Sequence, residues 1–270
     1  QLDAYTAGVS MDALLMLRDA RGTKLMFNHD AHSLDPRLVW QCDRDGDYIL
    51  QVAAFKFPAN STSSFSGGKD HVYRLTLTNG PFVRHTMPGG VKAQTQSSVK
   101  LVGWNLKQTT VIVPKQDEGE AVVVIEAVNG PLRLPVSVNA ELNELEPNDS
   151  NATAHAVSLP VVISGYIDKP SDVDRFAFTV KKSDRFVFSV KSFRLGFLLD
   201  RLLSIEDAIG RELASNDDAH KKRDPQLTWT APADGRYSVV LRSLLRKGGS
   251  EYFYRLQIHR SQPSFTATVA

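Results

Sequence analysis

Cysteine is almost missing from this chain: Cys42 is the single one among 270 residues. An internal disulfide and a thiolate zinc cluster are excluded with it. Long apolar runs are missing too, and no stretch approaches the roughly 20 apolar residues that a membrane helix needs. No membrane span is therefore expected. Charge of one sign is not in excess either, because 32 basic residues against 30 acidic ones leave a formal charge of +2. That balance gives no electrostatic case for nucleic acid or for an anionic membrane surface. Catalytic signatures are also lacking. There is no Gly-x-Ser-x-Gly, no His-Glu-x-x-His and no Walker loop, and Ser66-Gly67-Gly68-Lys69-Asp70 lacks the upstream glycine of a phosphate loop. The seven histidines are scattered. A non-enzyme is the expectation.

What the chain has is strands. Apolar content of 42% with 23% charged residues is that of a globular protein. The stretch RFAFTVKKSDRFVFSV (175–190) puts Phe176, Phe178 and Val180 on one face, then Phe186, Phe188 and Val190. With KKSD as a polar turn, it reads as a hairpin with an apolar inner side. In YRLQI (254–258), Tyr254, Leu256 and Ile258 point together, which places Tyr254 in a core. Further strand-like runs lie at 48–55, 72–77, 98–104, 110–113 and 121–128. Many short strands between Gly, Pro, Asn and Asp turns predict an all-β fold of β-sandwich modules.

The chain also repeats itself. MDALLMLRDARGTKLMFNHDAH (11–32) runs in step with LDRLLSIEDAIGRELASNDDAH (199–220). LVWQCDRDGDY (38–48) then matches LTWTAPADGRY (227–237), and GGKDHVYRLTL (67–77) matches GGSEYFYRLQI (248–258). A repeat of this length is one folding unit used twice. Asp30 with His32, and Asp218 with His220, therefore belong to the construction of a module, with Asn and Asp accepting backbone N–H groups in an irregular loop. A repeated surface metal site is the minority reading. Asp45-Gly46 and Asp234-Gly235 are turn dipeptides, each followed two residues on by a tyrosine. That is the spacing of a tyrosine corner.

The second copy resembles a known family. ELEPNDSNATAHA (144–156), SGYI (164–167), SDVDRFAFTV (171–180), the repeated segment and YRLQI resemble the bacterial pre-peptidase C-terminal (PPC) domain, which includes the collagen-binding domain of clostridial collagenases. Between the copies, a Pro-Gly-Gly turn followed by SVKLVGWNL is similar to the immunoglobulin-like IPT/TIG domains. The expected organisation is tandem β-sandwiches: an incomplete PPC-like module at 1–79, an Ig-like unit at 80–140, a complete jelly-roll-like PPC module at 141–262, and the start of a further module or linker at 263–270. Nothing in residues 1–78 corresponds to the Glu-Pro-Asn-Asp segment or the Phe-rich strands. The first module should then expose Leu15, Leu17 and Tyr73, its missing strands coming from preceding residues or from another chain.

The resemblance implies a secreted or cell-surface protein and a non-catalytic role. The expected function is a spacer, adhesion or assembly element of a longer chain. Its partners are the other domains of that chain, an extracellular polymer or neighbouring surface proteins. The alternative is a polymer- or collagen-targeting region of a secreted peptidase, with Tyr252 as the contact aromatic and Trp104 and Phe253 as further exposed candidates. The resemblance also implies calcium as a ligand. Glu144, Glu146, Asn148 and Asp149 put four oxygen-bearing side chains within six residues, and Asp172 and Asp174 add two more. Calcium takes six to eight oxygen ligands and favours several carboxylates.

Overall fold

The chain is described by a computed structural model covering residues 1–31, 34–56, 58, 64–125, 130–197, 199–217 and 224–261. His32, Asp218, His220 and the stretch 263–270 lie outside the described residues. The described residues contain strands, turns and one short 3-10 turn, Phe193–Leu195, and no α-helix. Among the described residues no helix is long and apolar enough to cross a membrane. Two compact units are present, 1–78 together with 193–197, and 79–192 together with 198–270.

The first unit has strands β1 (Leu2–Asp3), β2 (Asp12–Asp19), β3 (Lys24–Asn28), β4 (Tyr48–Phe55) and β5 (Arg74–Leu75). They form one sheet of order β3-β2-β4 and a second of order β1-β5. Its core is small: Leu2, Ala4, Met11, Ala13, Leu15 and Ala54. Leu15 is buried, against expectation, because β1 and β5 bring Leu2 and Leu75 to that core. Tyr73 is 46% exposed, as are Ile49 at 51%, Val72 at 64% and Leu77 at 72%.

The second unit opens with β6 (Phe82–Met87), β7 (Val91–Lys92), β8 (Ser97–Trp104), β9 (Thr110–Val113), β10 (Gly119–Val123) and β11 (Leu132–Ser137). These make sheets β6-β8-β9 and β10-β11-β7 around Val91, Val99, Val113, Ala121, Leu134 and Val136. It continues with β12 (Ala140–Asn143), β13 (His155–Ala156), β14 (Val161–Tyr166), β15 (Val173–Val180), β16 (Arg185–Lys191), β17 (Arg201–Asp207), β18 (Glu212–Asn216), β19 (Gln226–Thr230), β20 (Gly235–Ser243) and β21 (Phe253–Arg260). Two five-stranded sheets result, β12-β14-β21-β16-β19 and β13-β15-β20-β17-β18. Their inner faces share one core that includes Phe176, Phe178, Phe186, Phe188, Trp229, Tyr237, Tyr254, Leu256 and Ile258. This is a β-sandwich.

The Phe-rich pair is not a hairpin. β15 pairs with β20 and β16 with β21 and β19, so the KKSD turn carries the chain from one sheet to the other. Phe178 and Phe188 meet across the core, ring centroids 5.7 Å apart. The turn is held by the opposite corner: Ser183 N–H donates to the Ala231 carbonyl at 2.9 Å and Lys182 N–H to Asp234 Oδ1 at 2.7 Å. Alternation told which side is apolar, and this corner decides which strands pair.

Matching segments of the two copies have matching geometry. β2 and β17 each break register in their hairpin, between Leu17/Arg18 and between Ile205/Glu206. Asp19 Oδ1 accepts the N–H groups of Arg21 and Thr23 at 2.9 and 2.8 Å, as Asp207 Oδ1 accepts those of Ile209 and Arg211 at 3.1 and 2.9 Å. Tyr48 donates its O–H to the Arg44 carbonyl at 2.8 Å and Tyr237 to that of Ala233 at 3.1 Å, the corner that the turn spacing predicts. Trp40 packs on Tyr48 and Trp229 on Tyr237, both edge-on.

Candidate metal centre

The site lies just beyond β12, the edge strand of one five-stranded sheet of the sandwich. β12 runs parallel to β14, and Glu144 N–H then donates to the Ser164 carbonyl at 2.9 Å. This anchors Glu144 beside Gly165. Glu144 Oε1 accepts the Tyr166 N–H at 2.6 Å, and Oε2 accepts the Tyr254 O–H at 2.8 Å. A Cβ on residue 165 would lie 2.2 Å from Glu144 Oε2 and 2.6 Å from the Tyr254 oxygen, so only glycine admits this approach. Asp174, on β15, is wholly buried and its Oδ2 lies 2.6 Å from the same tyrosine oxygen.

One phenol proton cannot serve two carboxylates. Either a carboxyl is protonated or another positive charge is present. Without a cation, burial pushes Glu144 up to about 8, and burial together with the nearby Glu144 pushes Asp174 up to about 10. Burial also raises Glu146, which is exposed but close to Asp172, Asp149 and Asp168. Ligand oxygens of Glu144, Glu146 and Asp174 all lie within 4.8 Å of one another.

The other expected residues sit around this nucleus. Asn148 is fully buried, with Oδ1 accepting the Arg175 N–H at 3.3 Å, and Glu146 Oε2 accepts the Asn148 N–H at 2.9 Å. Asp172 is buried and takes the Asp168 N–H on Oδ2 at 2.6 Å. Lys169 Nζ stands 3.4 Å from Asp149 and 3.6 Å from Asp172, so these two carboxylates are close neighbours. A hydrogen bond with Asp172 lowers Asp149, while burial raises Asp172. The donor set suits a hard cation: the sealed Oδ1 of Asp174 has no hydrogen-bond partner, and Asp172 Oδ1 has only the Lys169 ammonium at 3.6 Å. Glu144, Glu146 and Asp174 would hold calcium first, with Asp149, Asp172 and Asn148 next to them.

Sequence reasoning missed Gly165, Lys169 and the hydroxyl of Tyr254. The one available signal was a tyrosine among Leu and Ile on an inner face, because a buried phenol requires a partner. The aromatic expectations fare differently. Phe253 is buried rather than exposed, with its ring 4.4 Å from His85 and 5.4 Å from Tyr166. Tyr252 is half-buried and packs on the sandwich core. Trp104 is half-buried under the Arg84 guanidinium at 5.9 Å. The outer face of β21 is thus covered at Phe253 and Arg255. Gly89 donates its N–H to Ser164 Oγ at 2.8 Å, and Gly90 passes so near Arg255 that a Cβ would lie 2.6 Å from Nη2. Arg255 pairs with Glu141 inside one sandwich sheet, and Arg84 on β6 pairs with Glu251 beside β21, which ties β6 to the sandwich.

A second group, Asp12, His29 and Asp30, also brings ligand atoms within 4.8 Å of one another. The neighbouring loop residues are structural. Asp35 accepts the N–H groups of Ala4, Tyr5 and Thr6 at 2.8–2.9 Å, and Asp224 accepts that of Ser192 at 3.1 Å.

No protein-family model matches the chain. Over 101 residues it is 41% identical to a probable subtilase-type serine protease of Deinococcus radiodurans, a match spanning 36% of this chain and 14% of that protease. Among solved structures, the pre-peptidase C-terminal domain of a collagenase from Bacillus anthracis aligns with a TM-score of 0.31 at 14% identity, covering 43% of this chain and 99% of that domain. A periplasmic inhibitor of g-type lysozyme from Aeromonas hydrophila aligns with a TM-score of 0.29 at 12% identity, covering 45% of this chain and 96% of the inhibitor.

Proposed function

We propose that this chain is a non-catalytic, calcium-stabilised segment of a larger exported bacterial protein, acting as a spacer, adhesion or assembly element. Two PPC-like modules, the first incomplete, flank an Ig-like unit in this reading. The observation that carries it is the Glu144–Glu146–Asp174 cluster where the chain leaves β12. Calcium bound there would neutralise the carboxylates, fix the 144–149 segment against β15 and stiffen the passage between modules. A stiff, charge-clamped junction suits a part whose task is to hold neighbours at a set distance.

The test is a thermal melt of the full chain in millimolar calcium and in chelator at pH 7.5. Calcium at a hundred times its Kd should add about 2.7 kcal/mol to the sandwich. Equal melting curves in the two buffers remove the calcium reading. A second reading, an accessory region of a secreted peptidase, is favoured by the 41% identity with the Deinococcus protease. Sedimentation with collagen, chitin and cell-wall fractions separates the two: retention on one polymer supports targeting, and none supports the spacer.

A further inference from the structure

β1 is the tail of a strand whose body has no counterpart in residues 1–78. Leu2 pairs with Leu75 and Asp3 with Arg74, as in the second module Val190 pairs with Leu256 and Lys191 with Arg255. Leu2 N–H donates to the Pro36 carbonyl at 3.0 Å, and Val190 N–H to that of Pro225 at 3.1 Å. Asp35 caps the turn after β1, and Asp224 caps the turn after β16. Gln1 therefore occupies the place of Ser189.

Everything that β16 does before that point is unmatched. In the second module Phe186 and Phe188 lie between Trp229 and Leu227 of β19 on one side and Arg260 and Ile258 of β21 on the other. The residues in those places in the first copy are Trp40, Leu38 and Leu77. Residues 37–41 form no strand, although their counterparts form β19, because β19 is built only by pairing with β16. Leu77 is 72% exposed where Ile258 is fully buried, and Tyr73 is 46% exposed where Tyr254 is fully buried. Among the described residues, β4 has no strand in the place that β15 takes beside β20, and only its far end is bridged, Phe55 to Phe65. Largely open edges beside exposed apolar side chains are the features of a strand acceptor.

We propose that residues 1–78 form such an acceptor, and that its occupant is an extended segment continuous with β1 on the N-terminal side. The segment carries a large apolar side chain at every second position. It pairs with 37–41 on one edge and with the strand leading to Leu77 on the other, in the register of β16, and it reaches β4 as β15 reaches β20.

The test joins a copy of residues 172–188 to Gln1 of the full chain, which places the copied Phe188 directly before Gln1. Hydrogen exchange read by mass spectrometry should show the amides of 37–41 and 48–55 slowing at least about tenfold. An extension of the same composition in shuffled order should leave them unchanged, and so should one with both copied strand-16 phenylalanines replaced by aspartate. Equal exchange with ordered and shuffled extensions overturns the proposal. So does slow exchange of 37–41 in the unextended chain.

Discussion

Replacing Asp174 by asparagine should change the sign of its effect with calcium. In the calcium-free fold, burial and Glu144 hold Asp174 protonated, pushed up to about 10, whereas in the unfolded chain it is ionised above pH 4. Folding at pH 8 therefore takes up a proton, and this costs up to about 1.4 kcal/mol for each pH unit between the unfolded pKa and the working pH. Two effective units amount to about 3 kcal/mol. Asparagine has the same shape, no proton to take up, and an amide oxygen that accepts the Tyr254 hydroxyl as Oδ2 does at 2.6 Å. In chelator at pH 8, Asp174→Asn should raise the melting temperature of the sandwich by about 10 °C, at roughly 4 °C per kcal/mol for a domain of this size. In calcium at a thousand times Kd the order should invert, because the parent gains about 4.1 kcal/mol, more than the variant's lead in chelator, while the variant has lost a charged ligand. Glu146→Gln is the control: its side chain is exposed, so it should change little in chelator yet weaken the calcium response. Calorimetry of the full chain with and without chelator reads both variants. An Asp174→Asn protein less stable than the parent in chelator, or one with an unaltered calcium response, refutes the reasoning.

Two other outcomes follow from buried charge. Glu144, raised to about 8, binds a proton in the fold that the unfolded chain has lost above pH 4.5, so this contribution is present at low pH and fades as pH rises towards 8. His85 works the other way: burial lowers it to about 3, so its contribution fades as pH falls below 6.5. Above pH 6.5 the raised carboxyls set the slope in the second unit, and urea titrations in chelator should show its stability falling from pH 6.5 to 8, with calcium abolishing the slope. The second outcome concerns Arg255 and Glu141, whose side chains are 5% and 3% exposed. Glu141→Gln should destabilise the second unit by about 3–5 kcal/mol by leaving a buried guanidinium unpaired, and Glu141→Leu with Arg255→Met should recover most of it in the same urea assay.

The sequence was most legible where the signal is local. The 144–149 and 172–174 segments each carry their acids within a few residues, which spacing alone shows; that the two segments share one site was what the family resemblance implied. The repeat was legible for the same reason, since a copied segment folds by copied contacts: the Asp19 and Asp207 turns and the Tyr48 and Tyr237 corners are matched residue for residue. Where neighbours come from afar, the pattern was silent. Phe253, on the outer face of β21, was expected to be exposed, yet the 84–90 segment covers it together with Arg255. Lys169 and Gly165 belong to the acidic site only because β14 and β15 fold beside residue 144. Ladder partners were invisible too, so two alternating strands joined by four residues were read as a hairpin when they sit in opposite sheets.

Repetition also separates the two kinds of polar residue in this chain. Asn28 accepts the Arg37 N–H at 3.0 Å, Asn216 donates to the Gln226 carbonyl at 2.7 Å, and Asp35 and Asp224 clasp the turn after the preceding strand. These roles recur because both copies close the same loop across the same gap. The position between them does not recur: it is His29 in one copy and Asp217 in the other. The Glu144–Glu146–Asp174 cluster occurs only in the second copy, since Asp174 rides on β15 and Glu144 on the chain entering beside β14, strands without counterparts in residues 1–78. A cation dependence arising from that cluster therefore belongs to one module. In residues 1–78 the corresponding contrast is apolar: Tyr73 and Leu77 are exposed where Tyr254 and Ile258 are buried.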